Sequence, residues 1–114
     1  MPCIHVETNQ KITPDAAETM KSEFGKAISL FPGKSEQWLM CVFRGECPMA
    51  FRGETSAPMA FVEVKLYGGV DSSASQKMTG EVCRILQWAL GIAPSQVYVR
   101  YQATDDWGWN GENF

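Results

Sequence analysis

The same order of elements is written twice into this chain: a strand-like run, a helix-like run and a second strand-like run, in 114 residues. The first copy opens with Cys3-Ile4-His5-Val6-Glu7-Thr8. Its helix starts at Thr13-Pro14-Asp15, where Thr13 can cap, Pro14 suits the first helical position, and Asp15 and Glu18 favour the positive end of the helix. Met20, Phe24, Ala27, Ile28 and Phe31 recur at helical spacing, and Pro32-Gly33 stops the run. A polar link, Lys34-Ser35-Glu36-Gln37, leads to a strand over Trp38-Leu39-Met40-Cys41-Val42-Phe43. A short turn-rich segment around Pro48-Met49-Ala50-Phe51 closes this copy. The second copy runs from the strand Met59–Tyr67 to a helix starting near Ser72-Ser73, with Ser73 and Gln76 spaced as a capping box. Val82, Ile85, Leu86, Ala89 and Leu90 form its apolar face, and Gly91 ends it. Ala93-Pro94-Ser95-Gln96 then leads to the strand Val97–Tyr101.

A helix-length crossover between two strands of one sheet implies that they pair in parallel. The predicted fold class is therefore α+β: two β-α-β repeats giving a four-stranded mixed sheet with two helices on one face, as a single domain over 1–114. Trp38–Phe43 and Met59–Val62 lack the polar alternation of a half-solvated strand, so they read as buried on both sides. Two helices cover one side only. The other face is expected to be apolar and to be covered by further copies of the chain.

The net charge of −3, with no run of like charges, argues against nucleic acid or an anionic membrane as partner. No apolar stretch has the length of a membrane span, and no basic segment followed by an apolar run opens the chain, so the expected address is the cytosol. Cys3, Cys41, Cys47 and Cys83 form no C-x-x-C pair, and His5 is the only histidine. No metal or other cofactor is expected, and the thiols read as reduced, with Cys41 and Cys83 as small core residues.

Pro2 stands behind Met1 and ahead of the first strand. Methionine is usually removed before so small a residue, which would leave a secondary amine held by the strand instead of fraying in solvent. An α-amino group titrates near ~8 in model peptides. Burial beside a cation lowers that value and makes the amine a usable base at neutral pH. Taken alone, Met-Pro reads as merely a common, stable start. Lys34 likewise has two readings, a carboxylate anchor or a lysine at the negative end of a helix.

Several dispersed segments together resemble the macrophage migration inhibitory factor family of the tautomerase superfamily along essentially the whole chain. They are Met1-Pro2-Cys3, Gly33-Lys34, Pro48-Met49-Ala50-Phe51, Gly68-Gly69, Val97-Tyr98, and Trp107-Gly108-Trp109-Asn110-Gly111 with Phe114. The resemblance implies a homotrimer whose sheets wrap into a barrel, with a pocket at each subunit boundary and keto–enol isomerisation of α-keto acids such as phenylpyruvate, in some members also of D-dopachrome. Carried over, the base is Pro2, the lysine that binds the substrate carboxylate is Lys34, and the position whose backbone amide reaches the substrate is Tyr67, after a one-residue insertion around Glu54-Thr55. Tyr98 is the tyrosine that a neighbouring subunit donates. Trp38, Trp107, Trp109 and Phe114 can supply an aromatic wall for a phenyl ring, with ordinary packing favoured for Trp109, and Lys65 and Arg100 complete the expected substrate-binding set.

The chain departs from the family pattern at Ser35, where proline is usual, at Arg52, where glycine is common, and at Met59-Ala60-Phe61-Val62, which replaces the C-x-x-C of some members. Thiol-redox activity is therefore not expected. Tyr67 replaces a usual aliphatic residue. Arg100 stands where asparagine is frequent, either as a carboxylate anchor or pointing outward and paired with an acid. Two function classes follow: a keto–enol tautomerase using Pro2, or a cytokine-like module whose trimer surface engages a receptor or host protein. The resemblance also leaves open secretion without a signal peptide.

Overall fold

The computed structural model describes residues 1–114. Four strands, β1 (Pro2–Thr8), β2 (Met40–Arg44), β3 (Ala60–Tyr67) and β4 (Val97–Thr104), form one sheet in the order β2-β1-β3-β4. The crossover helices are α1 (Pro14–Ala27), between β1 and β2, and α2 (Ser72–Leu90), between β3 and β4. Both crossover pairs are parallel, as their connections require. The two copies meet where β1 pairs antiparallel with β3, from Pro2 opposite Leu66 to Thr8 opposite Ala60. A short hairpin of β5 (Gly108–Trp109) and β6 (Glu112–Asn113) ends the chain. No helix is long and apolar enough to cross a membrane.

Strict alternation places every second residue of β1 and β3 under the helices. Ile4, Val6, Val62, Val64 and Leu66 are wholly buried there. Met20, Phe24 and Ile28 from the first helical segment meet Met78, Val82, Ile85 and Leu86 from α2 in the same core. The helix starts are fixed by side chains: the Thr13 hydroxyl accepts from Ala16 N at 3.1 Å, and the Asp71 carboxylate accepts from Ala74 N at 2.8 Å. Gly91, at φ 66°, gives α2 its left-handed stop. Thr8, the one buried polar residue, is satisfied by donating to Met59 O at 2.7 Å and accepting from Gln10 N at 3.1 Å.

Four features differ from the sequence reading. The cap of α2 is Asp71, one residue ahead of the helix, so Ser73 and Gln76 lie inside it. Glu36–Trp38 close a single 3₁₀ turn, and β2 starts only at Met40. β4 runs on to Thr104, and the terminal hairpin was not foreseen. The largest difference is the sheet face away from the helices. It is not a continuous apolar surface, because Glu7, His5, Arg44, Glu63, Lys65, Arg100 and Gln102 alternate onto it beside Cys3, Met40, Val42, Phe61, Tyr67 and Tyr98. The run Met59–Val62 that looked apolar throughout ends at Glu63, and beyond it β3 keeps a clean period of two.

The position of the cap can be checked directly. Asp71→Ala should cost about 1 kcal/mol in denaturant unfolding at fixed protein concentration, whereas Ser73→Ala should cost less than about 0.5 kcal/mol.

Candidate functional site at the chain start

At the end of the sheet where β1 begins, three backbone and side-chain groups interlock. The Tyr67 N–H donates to Met1 O at 3.0 Å, and Lys34 Nζ donates to Tyr67 O at 2.9 Å. Lys34 arrives there because the chain turns sharply after α1: Lys34 N bonds to Phe31 O at 3.1 Å, and Gly33 takes φ 76°, a conformation that glycine adopts without strain. The ammonium also lies 5.8 Å from the centre of the Tyr67 ring. Phe31, Pro32, Lys34, Tyr67, Gly69, Val70 and Asp71 line an open cleft of about 360 Å³ at this point.

The amino group of Met1 is held below the ordinary range of an α-amine, first by partial burial, then by the charge of Lys34 and a hydrogen bond from it. Pro2 N is bonded to the same Met1 carbonyl carbon whose oxygen Tyr67 clasps. Pro2 itself is buried.

A chain of aromatic rings leads away from Lys34. The Tyr67 ring meets Phe114 at 5.3 Å, Phe114 stacks on Trp109 at 6.5 Å with planes 6° apart, and Trp109 meets the edge of Trp38 at 5.1 Å. Trp109 and Phe114 remain 53% and 52% exposed, so much of this surface is open to a ligand. The hairpin that carries them turns through Asn110 (φ 54°) and Gly111 (φ 83°), the residue pair that a two-residue turn of this hand needs. Phe114 N closes it on Trp107 O at 3.0 Å.

The fold thus brings together Pro2, Lys34, Tyr67, Trp38 and Phe114, with Trp107 at the base of the hairpin. Lys65 is in register with Cys3, one residue in from Pro2, on the sheet face away from the helices, whereas Tyr98 and Arg100 lie further along the sheet. Tyr98 is in register with Phe61 while Pro2 is in register with Leu66, a separation of about 16 Å along the strand. Arg100 Nη1 is 2.9 Å from Gln102 Oε1 and 3.4 Å from Glu63 Oε2, and Lys65 Nζ is 4.0 Å from Glu63 Oε1. Trp109, expected to be plain packing, joins the aromatic surface at its middle. The Asn110-Gly111 pair was the signal that could have placed it.

A mixed sheet of two β-α-β units, with a lysine and an aromatic hairpin gathered around the first residues of the chain, defines the class of protein. The family model for macrophage migration inhibitory factor matches residues 1–114, and the chain belongs to that family. Among solved structures it is similar to Leishmania major MIF2, at 29% identity and a TM-score of 0.94, covering 100% of this chain and 97% of that one. It is also similar to the homologue from Prochlorococcus marinus, at 29% identity and a TM-score of 0.83 over 98% of both chains. The factor from Trichinella spiralis, at 24% identity and a TM-score of 0.83 over 98% of this chain and 99% of that one, shares the fold. No curated protein sequence matches the chain.

In protein that retains Met1, Lys34→Met should raise the titration midpoint of the α-amine, because a nearby cation that disfavours the protonated form is gone. Burial persists, so the midpoint should stay below that of an exposed amine. An NMR titration of the amino group in both proteins measures this.

Proposed function

We propose that the protein is a keto–enol tautomerase of phenylpyruvate-like α-keto acids, working as a homotrimer, with the Pro2 nitrogen as general base once Met1 is removed. The observation that carries this reading is the clasp of Met1 O by Tyr67 N–H beside the Lys34 ammonium. The Met1 carbonyl oxygen marks a place where an oxygen is welcome. When methionine leaves, the Tyr67 N–H loses its acceptor, and a substrate oxygen can take the vacated position next to the new proline amine.

The chemistry requires a base near neutral pKa within reach of the carbon beside a ketone, and donors for the enolate oxygen. Lys34 supplies charge for the carboxylate and keeps an adjacent amine unprotonated. The ring of the substrate finds Trp38, Trp109 and Phe114. Pro2 takes a proton from the carbon next to the carbonyl and a proton is returned to the oxygen, so keto and enol forms interconvert with no redox change and no cofactor. In this reading Tyr98 and Arg100 come from a neighbouring copy, since one chain holds Tyr98 at the far end of its own sheet and Arg100 at mid-strand, in register with Glu63, and Lys65 and Trp107 complete the substrate-binding surroundings. Trimer formation is supported by family membership and by that separation.

Intact mass should show a chain starting at Pro2, and sedimentation at micromolar concentration should give a trimer. Pro2→Gly retains a terminal amine but alters its basicity and rigidity, so kcat for phenylpyruvate should fall about 100-fold or more with the trimer intact. Lys34→Ala should act chiefly on KM. Wild-type turnover in Pro2→Gly would refute the mechanism.

A further inference from the structure

At the end of the sheet remote from Pro2, Tyr98 stands 63% exposed and meets the edge of Phe51 at 5.0 Å. Phe51 opens a tight two-residue turn. Phe51 N bonds to Glu54 O at 2.9 Å, Glu54 N bonds to Phe51 O at 3.0 Å, and Arg52 and Gly53 take φ 55° and 77° between them. The left-handed conformation is costly for an arginine, and the two backbone bonds hold it in place. As a result the Arg52 guanidinium lies over Phe51, its carbon 5.0 Å from the ring centre. Met49, Ala50, Met59 and Phe61 continue this surface as an apolar cleft of about 210 Å³.

Two arginines therefore flank the tyrosine region, in different states. Arg100 donates to Gln102 and pairs with Glu63. Arg52 is solvent-exposed and takes part in none of the ion pairs of the structure. Stacking on a ring restrains its side chain while leaving the planar fork of N–H donors free for a carboxylate.

We infer that Arg52 is a specificity-determining residue that selects aromatic α-keto acids bearing a second anionic group on the ring, binding that distal group at the subunit boundary. The inference rests on the tautomerase reading, in which Tyr98 reaches the pocket of a neighbouring copy and brings the Phe51–Arg52 turn with it. Lys34 then holds the keto-acid carboxylate at one end of the substrate and Arg52 the ring substituent at the other.

The test uses the mature trimer and Arg52→Asn, since asparagine is neutral and tolerates the left-handed backbone. Calorimetric affinities are compared for 3-phenylpropionate and 3-(4-carboxyphenyl)propionate, which bind without turnover, and kcat/KM is compared for phenylpyruvate and its 4-carboxy derivative. The preference for the diacid should fall about fivefold in Arg52→Asn, by both measures, and should weaken with salt. Arg52→Lys should recover part of it. A diacid preference in Arg52→Asn within twofold of wild type, or one abolished by Arg100→Gln and untouched at Arg52, overturns the inference. Full turnover by Pro2→Gly would instead overturn the tautomerase reading, and the calorimetric ratio would still decide the role of Arg52.

Discussion

The antiparallel seam between β1 and β3 is the constraint on which the rest of this structure depends. It joins two β-α-β units that would each leave a sheet edge unpaired, and it makes the first residues of the chain part of an inner strand. A chain start is ordinarily where order is lost. Here β2 on one side, β3 on the other and the buried Ile4 and Val6 beneath hold it in register. The Tyr67–Met1 and Lys34–Tyr67 bonds then fix its outermost residue. A base placed at Pro2 thus inherits the rigidity of the core.

The aromatic surface beside it has a different mechanical character. A hairpin of two-residue strands has little stability of its own. It is positioned by Trp109 against Trp38 and by Phe114 against Tyr67, contacts that are half exposed. Each such aromatic pair contributes about 0.5 to 1.5 kcal/mol beyond its burial. The ordered chain start and Lys34 are therefore flanked by an aromatic wall that opens at low cost.

Charge on the open sheet face has a structural consequence of its own. Glu63 on β3 is in register with His5 on β1 and with Arg100 on β4, and Lys65 follows it on the same face. Its carboxylate is shared between Arg100 and Lys65 at 3.4 and 4.0 Å. Such a face favours partners that match its polar groups over non-specific apolar association. It also fixes Arg100 by local pairing, while Arg52, stacked on Phe51, takes part in none of these ion pairs.

Periodicity and punctuation in the sequence determined the two helices, the four main strands and the parallel pairing within each β-α-β copy. Thr13-Pro14 starts α1, Gly91 stops α2, the helical stripes Met20-Phe24-Ile28 and Val82-Ile85-Leu86 mark the core, and crossover length dictates parallel pairs. Pro2 and Lys34 could be named as candidates from residue type and family likeness. Side-chain direction and long-range proximity were not legible. Whether Ser73 or Asp71 caps α2 depends on which backbone turns first, and both residue types cap well. The apolar run Trp38–Phe43 hid a 3₁₀ turn and a face change, because composition does not record where a strand begins. That Trp109 lies on Phe114, that Tyr67 sits over Lys34, and that Tyr98 lies at the opposite end of the sheet from Pro2 were decided by the β1–β3 seam and the terminal hairpin. These place residues together that are tens of positions apart in the chain, and only tertiary packing fixes such distances.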